Sequence, residues 1–389
     1  MRRLWLLLLA VAVAWIAVLI QFGQPLGWDE IEFFRASRWV GEGKVPYRDF
    51  WEHHTPLQWL LFAPVARLLG NGPGTGAIVA MRWTQLFLWF GIFAIVFALG
   101  RRGGVDRAAH ICGAVFLLGS PTFVRTALEF RVDVTGNLAY LAALLLATTA
   151  MTRLRAAAFG VMMSAAVLAN MRLAPLVILT ALLVLFWKPE ERRWGWNRGA
   201  LWMVAGVAVS GALFLGWLAV TGSVEPFVDA VIRYNVESGR LLAVETFFVT
   251  LLAPLSAGDV AGVAFWMAGL AGAVLVLRDV RRPGPLQFLA VLLATAVVTV
   301  AAMEVHYPYH FQTAWLLMLP LSAVALARVL PRWSPAVAAA AGAGLVLAML
   351  PLTSPSFGGE MRYQETVMQA VDRMTAPDEV VWDGCGYAL

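Results

Sequence analysis

Two short acidic motifs are the first sign of chemistry in the chain. Asp29 and Glu30 follow an apolar run in Trp28-Asp29-Glu30, and far downstream Glu129-Phe130-Arg131-Val132-Asp133 sets an arginine between two carboxylates. Between them lies Glu52-His53-His54, and later comes Glu304-Val305-His306-Tyr307-Pro308-Tyr309-His310. Arg82 and Arg172 fall within or at the ends of apolar runs. An ionised carboxylate takes a proton from a hydroxyl, grouped carboxylates hold a divalent cation, and a guanidinium donates two parallel hydrogen bonds to a phosphate. Plainer roles compete with each. Carboxylates near a helix N-terminus gain about 0.3–1 kcal/mol from the dipole without reacting, which covers Asp29 and Glu30. Asp133 suits a helix cap, and Arg131 can simply pair with its acidic neighbours. Arg82 and Arg172 can snorkel, although ionisable groups in apolar spans usually face a bundle interior or a wet cavity. His306 and His310 have the spacing of two helical metal ligands, but Pro308 between them argues against a regular helix. Substrate contact at an outer cavity, or packing at the membrane interface, remains open for them, as for His53 and His54.

The elements that must position these residues follow from composition. The 389 residues are 60% hydrophobic and 14% charged, with a mean hydropathy of +0.74. Soluble domains are about 45–50% apolar and about 25% charged. An ordinary water-soluble enzyme, a disordered protein and a nucleic-acid binder are therefore excluded, and the chain reads as an all-α polytopic membrane protein. Cys112 and Cys385 stand far apart in unlike contexts, so neither a disulfide framework nor a zinc knuckle is indicated. Spans of about 20 residues place about eleven transmembrane helices. They are expected at 4–20, 77–100, 108–124, 134–150, 156–170, 173–187, 200–220, 246–277 (one span plus a broken or re-entrant piece), 285–303, 311–328 and 335–352. The first resembles a signal peptide, but the many apolar runs after it mark it as an uncleaved span.

Arg2-Arg3, Arg101-Arg102-Arg107, Arg153-Arg155, Lys188 to Arg198, Arg278 to Arg282 and Arg328-Arg332 alternate with the acidic segments. By the positive-inside rule these basic loops, and the N-terminus, are cytoplasmic. About 20 of the 24 acidic residues then lie on the outer side, where they can line one site. The first outer loop, 23–76, is too long for a connection. Trp28 to Val40 sets Ile31, Phe34 and Trp39 against Glu32, Arg35 and Arg38, an amphipathic helix lying on the membrane surface. Leu57 to Leu69, opened by Pro56 and closed by Gly70, is a second interfacial helix. As a span it would invert every later loop against the charge rule.

The order of these motifs carries a resemblance. A first span, then Trp28-Asp29-Glu30, Gly43-Lys44-Val45-Pro46-Tyr47-Arg48-Asp49-Phe50, His54-Thr55-Pro56-Leu57, and Met81-Arg82 in the next span resembles the GT-C glycosyltransferase superfold. Its protein O-mannosyltransferase and aminoarabinose-transferase-like bacterial membrane group is the nearest in pattern. Glu129 to Asp133 falls where that fold has a second acidic motif, and Tyr307-Pro308-Tyr309-His310 resembles its late outer loop. The resemblance covers about residues 1–350. It implies transfer of a sugar from a polyprenyl-phosphate carrier to an acceptor hydroxyl on a lipid, glycan or protein at the outer face of the cell's inner membrane. The expected catalytic residues are Asp29, as general base, and Glu30. Glu129 and Asp133 are the expected ligands of a possible divalent cation. Arg82, Arg131, Arg172, His53, His54, His306, Tyr309 and His310 are the expected substrate contacts.

Residues 1–352 thus form the expected transmembrane domain. In the outer tail, 353–389, Met361 to Met374 reads as an amphipathic helix and Asp378 to Gly384 as a strand and turn. One helix and one strand bury too little surface to be a domain, so the tail is expected to be the start of an outer α/β domain that the chain truncates. The alternative function is a transporter or flippase of lipid-linked substrates. It predicts paired mid-membrane charges and an internal repeat, and neither is evident.

Overall fold

The structure is a computed structural model. It describes residues 11–329, apart from 17, 20–21, 71–74, 150, 189–192, 195–196, 198, 239–243, 253–254, 256–257, 279–283 and 304–306, and further on Gln364 and Thr366. The first span is helical over its described residues, 11–16 and 18–19. Two helices of the outer loop follow, α1 (Trp28–Gly41) and α2 (Leu57–Leu69), the second with the expected bounds. Then come α3 (Gly76–Arg102), α4 (Arg107–Leu118), α5 (Pro121–Ala127), α6 (Val132–Ala147) and α7 (Arg153–Ala169). A 3-10 turn, Met171–Leu173, enters α8 (Ala174–Leu185), and a two-residue hairpin, Trp187–Lys188 with Arg193–Trp194, leads to α9 (Ala200–Thr221). On the next stretch α10 (Val224–Phe227), a π-turn (Val228–Arg233) and α11 (Tyr234–Ser238) run end to end. They precede α12 (Val244–Leu251), α13 (Val260–Leu277), α14 (Pro285–Ala301), a 3-10 turn (Pro308–Phe311) and α15 (Gln312–Val329).

Among the described residues, α3, α9, α13 and the Pro308–Val329 segment are long and apolar enough to cross a membrane, and the α4–α5 pair makes a fifth, bent span. Helices α2, α6, α8 and α14 are apolar but shorter. The architecture is the expected all-α, polytopic one, and the 335–352 span lies outside the described residues. Helix α15 is the axis of the bundle: Ala314 to Ala323 is buried without interruption, packed on α13, α4 and α14. A second group stacks α3, α6, α7 and α9 in order.

One expected span is broken. Helices α4 and α5 meet at 78°, because Pro121 carries no N–H to continue the helix. Ser120 instead starts a new one, its Oγ accepting from Phe123 N and donating to Asp259 Oδ2 at 2.6 Å. Asp259 Oδ1 accepts from Gly262 N at 2.7 Å, so one buried carboxylate caps α13 and braces the corner.

The amphipathic reading of α1 changes too. Its buried residues are Glu30, Glu32, Phe33, Phe34, Ala36 and Ser37, so Glu32 is covered rather than solvated. Helix α2 packs along α1, and the 50–54 segment lies against it through His54 on Phe33 and Phe50 on Trp39. Gln364, in the tail, donates to Leu26 O and accepts from Leu26 N at 3.2 and 2.8 Å, which places it against the entry to α1. Gln364 and Thr366 are helical as expected, and the predicted strand lies outside the described residues.

Helices α7 and α9 touch backbone to backbone. A Cβ at Gly160 would stand 2.2 Å from Met203 O, and one at Gly206 2.2 Å from Ala157 O. Overpacking typically costs about 1–3 kcal/mol, so Gly206→Ala should lower the melting temperature of the detergent-purified chain by several degrees. Gly211→Ala on the same helix, with open space around it, should not.

Candidate functional site

Helix α1 presents Asp29 and Glu32 one turn apart on one face, and Glu30 on another. Asp29 is the open carboxylate, its side chain 33% exposed. Its Oδ2 accepts from Arg131 Nη2 at 2.6 Å, and Arg131, 4% exposed, begins α6. The same guanidinium donates from Nη1 to Glu129 Oε2 and from Nε to Asp133 Oδ2, at 3.3 and 3.2 Å. Its carbon lies 3.4 Å over the ring of Tyr309, a cation–π contact on the one face the carboxylates leave. Asp133 Oδ1 accepts from Asn170 Nδ2 at 2.9 Å, and Asn170 Oδ1 accepts from Arg172 N at 3.0 Å. Asn170, between α7 and the next turn, thus fixes Arg172 beside Asp133. Arg172 is half-buried and makes no ion pair among the described residues. With Asp133, Asn170, Thr313 and His310 it lines a cavity of about 30 Å³.

These contacts divide the carboxylates. Burial works to raise Asp29, but the charge and hydrogen bond of Arg131 outweigh it and hold the carboxyl below its ordinary value. For Glu129, packed against Gly27, burial wins over Arg131 and pushes the carboxyl up to about 7. The resemblance implied Glu129 and Asp133 as ligands of a divalent cation. The structure instead puts the Arg131 guanidinium between them, so a side-chain cation already meets their charge.

Glu30 and Arg82, expected as a catalytic residue and a substrate contact, form a buried pair with each other. Both are fully buried, and Arg82 Nε and Nη2 donate to Glu30 Oε1 and Oε2 at 2.7 and 2.6 Å. Phe130 N donates to Glu30 Oε1 at 3.1 Å, and Arg82 donates to Gln24 O and Pro25 O at 3.0 and 3.2 Å. The fork is spent on fastening the start of α1 to α3 and to the Glu129–Asp133 turn.

On the other side of Asp29 a second cluster forms. Glu52 Oε1 accepts from the backbone N of His53 and His54 and faces His54 Nδ1 at 2.8 Å. His53 Nδ1 is 3.8 Å from Glu32 and 3.7 Å from Glu52. Burial lowers both imidazoles to about 3, so they are neutral. Burial, with Glu52 facing it, raises Glu32, and burial raises Glu52. Tyr47, in the left-handed region at φ 69°, donates from its hydroxyl to His54 O at 2.8 Å. Asn235 of α11 donates to His53 O at 2.9 Å. Trp51 and Tyr234 flank the His53 ring.

Of the expected site residues, Asp29, Glu129, Arg131, Asp133, Arg172, Tyr309, His310, His53 and His54 come together on the outer-loop end of the bundle, and His306 lies outside the described residues. Sequence reasoning missed Glu32, Asn170 and Tyr47. The signal for Glu32 was its helical spacing from Asp29, whereas Asn170 and Tyr47 have none.

No family model matches the sequence, and neither does any curated protein. The fold, however, is similar to that of ArnT from Cupriavidus metallidurans bound to undecaprenyl phosphate, with a TM-score of 0.63 at 16% identity. The likeness covers 95% of this chain and 72% of that one. Against the Archaeoglobus fulgidus oligosaccharyltransferase in complex with Zn and sulfate the TM-score is 0.55 at 15% identity, over 95% of this chain and 56% of that one. This chain has the GT-C fold. The expected resemblance therefore holds at the level of architecture.

The Glu30–Arg82 latch makes a stability prediction. Breaking a buried pair from one side costs about 3–5 kcal/mol, so Arg82→Met should strongly lower the melting temperature. Glu30→Leu combined with Arg82→Met should recover part of the loss. A reacting Glu30 would instead show lost activity at unchanged stability in Glu30→Gln.

Proposed function

We propose that the protein is an integral membrane glycosyltransferase that moves a sugar from a polyprenyl-phosphate donor to an acceptor hydroxyl. The observation that carries this reading is the meeting of Asp29 and Asp133, residues from distant stretches, on the one guanidinium of Arg131. The likeness to a structure with undecaprenyl phosphate supports the donor class. The charge distribution along the loops supports a cell-membrane location, with N-terminus cytoplasmic and site and tail outside.

In this reading Asp29 is the general base. As the acceptor oxygen bonds to the anomeric carbon, its proton passes to Asp29, and the bond from that carbon to the phosphate oxygen breaks with its electron pair on the phosphate. Arg172, fixed by Asn170 and with no carboxylate of its own, meets the developing phosphate charge. Arg131 orients Asp29 and keeps it ionised. His310 lines the cavity and Tyr309 covers the Arg131 guanidinium, and both are proposed as sugar contacts. The apolar groove of about 430 Å³ between α7, α8 and α9 has the chemistry to take an isoprenoid chain, and it adjoins the site through Val167, whose carbonyl accepts from Thr55 Oγ1. A divalent cation, if bound, would add charge for the leaving phosphate.

Transfer from a polyprenyl-phosphate sugar by membranes carrying Asp29→Asn should fall about 10²–10⁴-fold, the range for removing a general base. Full activity in Asp29→Asn sinks the assignment. The pH profile gives a second check. The base works ionised, and its pKa is depressed, so kcat/KM should stay level as pH falls and decline only below the ordinary carboxylate range. Arg131→Met removes the main opposition to burial, raising Asp29 and moving the acid limb to higher pH, and Arg131→Lys should move it less. An acid limb at the same pH in all three proteins would contradict the role given to Arg131.

A further inference from the structure

We propose that Glu32, Glu52, His53 and His54 form a binding site for a single divalent cation of the Zn2+ class. One oxygen from each carboxylate and one nitrogen from each imidazole lie within 4.8 Å of one another. Two imidazoles and two carboxylates are a donor set that Zn2+ accepts, at about 2.0–2.2 Å from each ligand atom. A tetrahedron of such bonds has edges of about 3.3 Å. The separations here, 2.8 Å from His54 Nδ1 to Glu52 and 3.7 and 3.8 Å from His53 Nδ1 to Glu52 and Glu32, bracket that value. Small side-chain adjustments, not backbone movement, close the set around one ion.

Independent of the clustering, His53 Nδ1 points into the group, is shielded from solvent, and has no hydrogen-bond partner among the described residues. Its distances to both glutamates are too long for a hydrogen bond. Orphaned buried nitrogens are uncommon and call for an explanation, and an ion between His53 and the glutamates supplies one. The ligands are held from outside, as metal ligands usually are. Tyr47 donates to His54 O, Asn235 donates to His53 O, and the Phe33 ring stands edge-on to His54. The His53 side chain keeps 20% of its surface exposed, between Trp51 and Tyr234, which leaves the ion a way in. This is not the pair Glu129 and Asp133, whose charge Arg131 meets.

The ion's contribution to transfer rests on the function proposed above: Glu32 lies one helical turn from Asp29, so the cation sits beside the base, where it can hold a donor phosphate or an acceptor oxygen. The binding itself does not depend on that function. The full-length chain, purified in detergent and stripped with a chelator, is titrated with Zn2+ against a chromophoric competitor. One equivalent should bind, and binding should weaken at least about tenfold, the loss seen on removing even an outer partner of a ligand, in Glu32→Gln and in His53→Gln. Glu129→Gln and Asp29→Asn should bind as the unmodified chain does. Monodispersity and helical circular dichroism verify each variant, and His53→Gln, at a partly exposed ring, keeps the test open should Glu32→Gln misfold. No stoichiometric Zn2+ in the unmodified chain, or equal binding in both ligand variants, overturns the site. Zn2+ binding with an inactive Asp29→Asn supports both readings, while Zn2+ binding with a fully active Asp29→Asn leaves the metal site standing and removes the base.

Discussion

Arg131 is a buried cation, and one end of the bundle is arranged around its charge. A guanidinium taken out of water costs several kcal/mol unless each donor finds an acceptor. Here Asp29 comes from α1, Glu129 and Asp133 from the turn and first residues of α6, and Tyr309 covers the remaining face from the turn before α15. Three segments far apart in sequence therefore converge for the same electrostatic reason. Because the attraction is shared unequally, it also sorts two of the carboxylates: Asp29, with the shortest contact, is held below its ordinary value, and burial pushes Glu129 up toward its neutral form. One side chain thus sets both the geometry and the protonation pattern of the site.

The latch between Glu30 and Arg82 works beneath this layer. It fixes the start of α1 to α3 and, through Phe130 N, to the turn that leads into Arg131. Neighbouring residues on α1 consequently do opposite things. Helical geometry turns Glu30 inward, where both oxygens are consumed, and turns Asp29 and Glu32 toward two separate polar clusters. Placing the acids on a short rigid helix, rather than on a free loop, limits the conformational entropy lost when a substrate is bound.

Much of the architecture was readable in the residues. The helical, polytopic character followed from apolar length, and the helix at Leu57–Leu69 from the Pro56 and Gly70 that bound it, because both depend on the one-dimensional order of side chains. The break at Pro121 was missed because an apolar run shows length, not direction, and the corner depends on Asp259 arriving from another helix. Reading Glu32 as part of a solvated stripe failed for a similar reason: periodicity says which residues share a face, not what packs upon it.

The sequence alone determined that this is a multi-span helical protein with its acids gathered at one end, since hydropathy and loop charge are local sums over the chain. Which acid is open, which is spent on an arginine, and which faces a histidine were decided only by tertiary structure. Those distinctions arise from distances of 2.6 to 3.8 Å between residues remote in sequence. Coulombic and hydrogen-bond energies fall away over such lengths, and no spacing along the chain encodes them.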